Sequence, residues 1–173
     1  YKPLIKIVRE VIMRRVIASI SHGIDKICRS AAVGFLSLML LLVLFQVLAR
    51  YLFQSVPVWT EEAARYCMIW GGLFGATVAF HGDTDPRLIQ PPRHGSRAWI
   101  VAATWLRVVT VVVFMGPVLY HSDRFLVRSW YRASEGMELP MAFITVTVPL
   151  TIGIIFFHLF ARILGADSGP AKQ

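Results

Sequence analysis

The chain has 173 residues, of which 56% are hydrophobic and 16% charged, with a formal net charge of +8; mean hydropathy is +0.60. Soluble domains are about 25% charged, and a chain this short has no room to hide several long apolar runs inside a globule. The positive charge does not point to nucleic acid, because the basic residues fall between the apolar runs, where Lys and Arg set membrane topology.

Residues 1–29 are basic and amphipathic. Lys2, Lys6, Arg9, Arg14, Arg15, Lys26 and Arg29 are interleaved with Leu4, Val8, Val11, Ile12, Val16 and Ile20. Three- and four-residue steps between apolar positions predict a helix. Such a helix is expected to lie in the headgroup layer, its cations against anionic lipid.

The first span is expected at about 31–53, with Arg50 and Tyr51 at its far interface. After a short connector containing Pro57, the second span is expected at 59–80. Thr60 is the expected N-cap, and Glu61 and Glu62 occupy the first turn, where the helix dipole favours anions. The stretch HGDTDPRLIQPPRHGS, residues 81–96, has three prolines and reads as a polar loop.

The third span is expected at 97–121, with Arg107 inside it, and 123–138 reads as a polar connector that can begin as an extension of the helix. The fourth span, 139–161, holds 23 residues without Asp, Glu, Lys or Arg. A bilayer core of about 30 Å is crossed by roughly 20 helical residues. The expected fold is therefore an all-α membrane protein. Four transmembrane helices fill a membrane domain over 30–164, after the interfacial segment 1–29 and before a short tail, 165–173. The Lys and Arg distribution places both termini in the cytoplasm. No cleavable signal peptide is expected, since the first apolar run is too long for a signal core. Cys28 and Cys67 fall at different depths in this layout and read as free, packed thiols.

Several residues could carry function. Glu61 and Glu62 are spaced to reach Arg65 on one helix face, and Arg50 is near in sequence. Three readings stay open for this group with Trp59: an ion cluster fixing the first hairpin, a patch for a partner protein, or a cation site, for which the arginines would compete. Gly71, Gly72, Gly75 and Ala76 let another helix approach the second span closely. Arg107 sits about ten residues into its span, where a lone Arg costs at least ~2.5–3.5 kcal/mol. It must meet a backbone carbonyl or another chain, or the span starts later and it snorkels to the cytoplasmic surface. The tryptophans Trp59, Trp70, Trp99, Trp105 and Trp130 suit interface belts. Pro117 and Pro149 are expected to kink their spans.

His81 and His158 fall near the cytoplasmic ends of two spans, and a bilayer haem needs two facing histidines at one depth. Hydrogen-bonded histidines at helix ends are the expected outcome, and no cofactor or metal is assigned. The sequence has no Walker loop, no nucleophile beside a base and no metal-ligand cluster, so no enzyme is expected.

Arg50-Tyr51-Leu52-Phe53, followed by Pro57-Val58-Trp59-Thr60-Glu61-Glu62-Ala63-Ala64-Arg65-Tyr66, Trp70 and Gly75-Ala76, resembles the small membrane subunit of tripartite ATP-independent periplasmic (TRAP) transporters, the DctQ-like family. Leu139-Pro140-Met141, Pro149 and Gly153 are similar to that family's fourth span. The sequence departs from the family after the second span, where an acidic, proline-bearing stretch replaces the usual basic residues. The resemblance implies a scaffold subunit of a sodium-coupled, binding-protein-dependent transporter for organic acids. It implies two partners: a large multi-span subunit that carries substrate and a periplasmic substrate-binding protein. The residues by themselves leave two other readings: an independent homo-oligomeric channel or small transporter, and a haem-bearing redox anchor.

Overall fold

A computed structural model describes residues 2–82 and 97–164, with side chains for 11–82 and 101–164. The proline-rich loop and the C-terminal tail lie outside the described residues, as does the departure from the family pattern after His81. Five helices follow one another: α1 (Lys2–Phe53), α2 (Val58–His81), α3 (Arg97–Trp130), α4 (Ala142–Thr145) and α5 (Thr147–Ile163).

The basic segment and the first span form one helix. α1 runs 52 residues without a break at 29–30, about 78 Å at ~1.5 Å per residue. In 2–53 the early Pro3 falls in the first turn, where proline is tolerated, and Gly23 and Gly34 stand singly, each weakening a helix by about 1 kcal/mol without breaking it. α1 ends where Gln54 turns to φ 51°, the left-handed position that commonly closes a helix. Pro57 then stands just before α2 with φ −63° and ψ 128°, the extended form that lets the chain reverse.

α2 packs antiparallel along α1. The core joins Cys28 and Ala32 of α1 to Phe74 of α2, with Ile24, Phe35, Trp70, Val78 and Ile154 around them. Phe35 stacks on Trp70 with ring centroids 5.6 Å apart, and Trp70 meets Phe74 at 5.5 Å. Trp70 therefore belongs to the helix–helix core and not to an interface belt. Both cysteines are free and buried.

α5 touches α1, α2 and α3, whereas the backbone of α3 packs only on α4 and α5. α3 stays continuous through Pro117. The chain breaks instead at Val146, between α4 and α5. Pro149 lacks the N–H that would bond to Thr145, and its ring crowds that carbonyl, so the break falls one turn before the proline.

Three segments are long and apolar enough to cross a membrane: Val11–Phe53, Val101–Trp130 and Ala142–Ile163. α2 is not among them, because Glu61, Glu62, Arg65 and several weakly apolar residues dilute it. The most apolar stretch of α1 is 6% buried by its own chain, and that of α3 is 0% buried.

Candidate functional site

Two polar groups fasten this bundle, one at each end. At the end where α1 meets α2, the glutamates separate. Glu61 pairs with Arg65 one turn along on an exposed surface. Glu62 turns the other way and crosses to the connector between α3 and α4. One of its oxygens accepts the backbone N–H of Gly136 at 2.9 Å and of Met137 at 2.8 Å. The side chains of Tyr66 and Ser134 lie beside the same carboxylate.

The connector is shaped to offer those amides. Ser134 donates its N–H to Leu139 at 2.9 Å, Met141 donates to Arg132 at 2.8 Å, and Glu138 takes φ 53°. The tight turn leaves the Gly136 and Met137 amides without helical partners, and a carboxylate accepting such amides is among the stronger neutral-donor contacts. Glycine at 136 lets Glu62 come this close: a Cβ there would sit 2.8 Å from Glu62 Oε2 and 3.3 Å from Val58, so the carboxylate would have to shift.

The other expected members of this group take different places. Arg50 is exposed in the last turn of α1 and makes no ion pair among the described residues. Trp59 is exposed. Thr60 is not the N-cap: α2 starts at Val58, and the fully buried Thr60 hydroxyl donates back to the Pro57 carbonyl at 2.7 Å. The early start follows from Pro57, whose fixed φ already suits the residue before a helix.

Of the three glycines on α2 that were expected to admit another helix, Gly71 is the one that meets α1. A Cβ there would meet Leu36 Cγ at 2.8 Å and its backbone nitrogen at 3.3 Å, so this glycine sets the closest approach of the two helices. Gly72 and Gly75 look onto open space, and Ala76 is exposed.

The opposite end holds a polar cluster on three helices. Ser21 and Asp25 come from α1, His81 from the end of α2 and His158 from α5. All four are buried, with Asp25 7% exposed and His158 3%. Ser21 Oγ lies 2.9 Å from His158 Nδ1. Asp25 Oδ1 is 3.4 Å from His81 Nδ1, and Asp25 Oδ2 is 3.5 Å from Arg29. The two buried rings touch, with centroids 4.6 Å apart.

Asp25 and Ser21 are the residues that the sequence reading missed. Their signal was present: Ser21, Asp25, Cys28 and Ala32 follow one another at four-, three- and four-residue steps on one helix face. An acid among small residues on that face marks a buried partner on another helix, and the surrounding cations masked it.

Arg107 is half-buried and at the same end of the bundle. Its guanidinium reaches the Phe80 carbonyl at 3.5 Å and lies 4.5 Å from the centre of the Phe80 ring. Phe80 is next to last in α2, so Arg107 is level with the end of that helix and not with its middle. His121 bonds its own Pro117 carbonyl at 2.9 Å, and Thr151 bonds Thr147 at 2.8 Å; both are local helix contacts.

Comparison with known proteins gives this bundle a family. Residues 39–168 match the family described as "Tripartite ATP-independent periplasmic transporters, DctQ component". A TRAP transporter small permease protein of Haemophilus influenzae is 40% identical over 63 residues, covering 36% of this chain and 39% of that relative. The chain thus aligns with less than half the length of that curated relative. The matched family is a transporter component and not an enzyme, and its apolar helices are those of a bacterial inner-membrane protein. The chain belongs to the DctQ family of TRAP transporter membrane subunits.

Proposed function

We propose that this chain is the stationary brace of a sodium-coupled TRAP transporter for organic acids. It holds a large multi-span subunit that carries the substrate, and a periplasmic binding protein delivers that substrate. The observation that carries the reading is the bareness of α1 and α3. Their most apolar stretches are 6% and 0% buried by this chain, while the polar residues at the two ends are tied into it. Helices with so little cover of their own are built to sit against other membrane helices or lipid.

In this reading four helices cross the bilayer. α2 is too polar to stand alone in lipid, yet it runs antiparallel along α1 for its whole length, shielded there by Phe35 and Leu36. Both termini lie in the cytoplasm. The first turns of α1 extend past the end of α2, and Arg14 and Arg15 meet anionic headgroups of the inner leaflet. Exposed Trp59, Glu61, Arg65 and Arg50 face the periplasm, where the binding protein docks.

Co-purification tests this assembly. With the large subunit expressed alongside, tagged wild-type chain is expected to bring it down in a fixed ratio from mild detergent. Recovery of this chain alone, stable and without its neighbour, would overturn the reading.

A further inference from the structure

Asp25, His81 and His158 gather titratable groups near one end of α5, and the other end of that helix begins at a break. Histidine is the side chain whose ordinary titration falls between about pH 5 and 8. Here two of them are buried in contact, their ring centroids 4.6 Å apart, with the buried Asp25 beside them. Their charged and titratable neighbours among the described residues come from three helices. α1 brings Asp25, with Oδ1 3.4 Å from His81 Nδ1, and Arg29 on the other carboxylate oxygen. It also brings the exposed His22, whose ring centroid is 5.8 Å from that of His81. α5 brings Arg162, which lines one recess with Phe80, His81 and His158. α3 brings Arg107, held on the Phe80 carbonyl next to His81.

One proton on the two rings is matched by Asp25. A second would set two imidazolium rings in contact, with Arg162 beside them and the only carboxylate of the cluster shared with Arg29. Like charges that close repel, and burial strengthens the repulsion. Ser21 does not choose between the forms, since its hydroxyl, 2.9 Å from His158 Nδ1, can donate to that nitrogen or accept from it. α5 is placed to respond. The chain breaks at Val146, and Pro149 offers no amide to the Thr145 carbonyl; helices bend at such points. Further along, Ile154 leans on the core of Cys28, Ala32 and Phe74. Between helices in a bilayer there is no hydrophobic drive, so polar contacts and close packing hold one helix to another.

We propose that Asp25, His81 and His158 are a proton-operated clasp. It holds the C-terminal half of α5 against the α1–α2 hairpin while the two rings carry at most one proton. It lets that half swing about Val146 when both rings are charged. The opened form binds more protons than the closed one, so opening is favoured as pH falls. The clasp stands independently of the brace reading, because every part of it lies in this chain.

The two native cysteines report the motion. Cys28 lies in the core beside Ile154, one turn from Asp25, whereas Cys67 lies well along α2 from His81. Both are free and buried. The full chain in lipid nanodiscs is labelled with N-ethylmaleimide at about pH 8 and about pH 5.5, either side of ordinary histidine titration. The Cys28-to-Cys67 labelling ratio sets aside most of the reagent's own pH dependence. Acidification is expected to raise it about tenfold, the change for one proton taken up over one pH unit. His81→Gln and His158→Gln each leave one titratable ring and are expected to keep the ratio level, while His22→Gln keeps the rise. A level ratio in the wild-type chain would overturn the clasp, as would a rise that survives both His81→Gln and His158→Gln. A second measurement needs no variant that must fold: in histidine-labelled wild-type chain, the His81 and His158 ring signals should move by NMR over the pH range in which the ratio rises. Ring signals that stay still through that rise would also overturn it.

Discussion

The two ends of the bundle are fastened in opposite ways. At the end where α1 turns into α2, a single carboxylate does the fastening: Glu62 receives two backbone amides from the α3–α4 turn. At the other end, fastening is spread over Ser21, Asp25, His81 and His158 on three helices. A carboxylate on backbone amides fixes the shape of a turn, whatever side chains the turn carries. A side-chain network fixes which helices stand together, and it depends on every member. The first device leaves the surface of the turn free to vary for a partner; the second allows little variation.

The contrast predicts a ranking. Asp25→Ala should have the largest effect, because it takes a buried acceptor away from His81 and Arg29 at once, and losing a buried polar partner costs about 1–3 kcal/mol. Thermal melting in detergent measures it, and a variant that melts like wild type would show that the inner network carries no load. Glu62→Ala comes next, with a fall of several degrees in melting temperature. Its distinguishing signature is faster hydrogen exchange at Gly136 and Met137, with the α1–α2 core still protected. Slow exchange at both amides would mean that the turn holds itself.

Gly136→Ala should mimic part of that loss at about 1–3 kcal/mol, the ordinary cost of forcing an atom into a filled space. Glu62 would have to move off the new Cβ. A double-mutant cycle of Ser21→Ala and His158→Ala should give a coupling of about 0.5–1 kcal/mol, the range of single polar contacts between membrane helices. Zero coupling would remove that bond from the network. Glu61→Ala should be the smallest change, within about 0.5 kcal/mol, since its partner Arg65 shares an exposed surface. A large effect of Glu61→Ala with none from Glu62→Ala would reverse the assignment of the two acids.

Much of the architecture was legible before any coordinates. Long apolar runs and their punctuation by Pro57 and by the proline-rich loop placed the helices to within a turn, apart from the ends of α1 and α3. At those two ends the helices run on past the expected spans for one physical reason: helix continuity depends on the absence of a breaker, not on a change in polarity. The basic segment passes into the apolar span with no Gly or Pro cluster between them, so α1 does not stop at residue 29. α3 likewise continues through Asp123 and Arg124 to Trp130.

At the sites, spacing revealed the Glu61–Arg65 pair, because i,i+4 contacts are local. Glu62 meets residues 74 and 75 positions away, and no local pattern announces that. Asp25 was hidden for the same reason. Its partner His81 closes the neighbouring helix, and only the antiparallel pairing of α1 with α2 brings them together. Arg107 meets a backbone carbonyl, that of Phe80 near the end of α2, 27 positions away, and no local pattern announces that either.

Sodium-driven uptake in three vesicle preparations tests the central claim most directly: this chain alone, the large subunit alone, and the two together. A brace predicts uptake with both subunits and the binding protein present, and none from this chain alone. Solute movement through vesicles holding only this chain would contradict it.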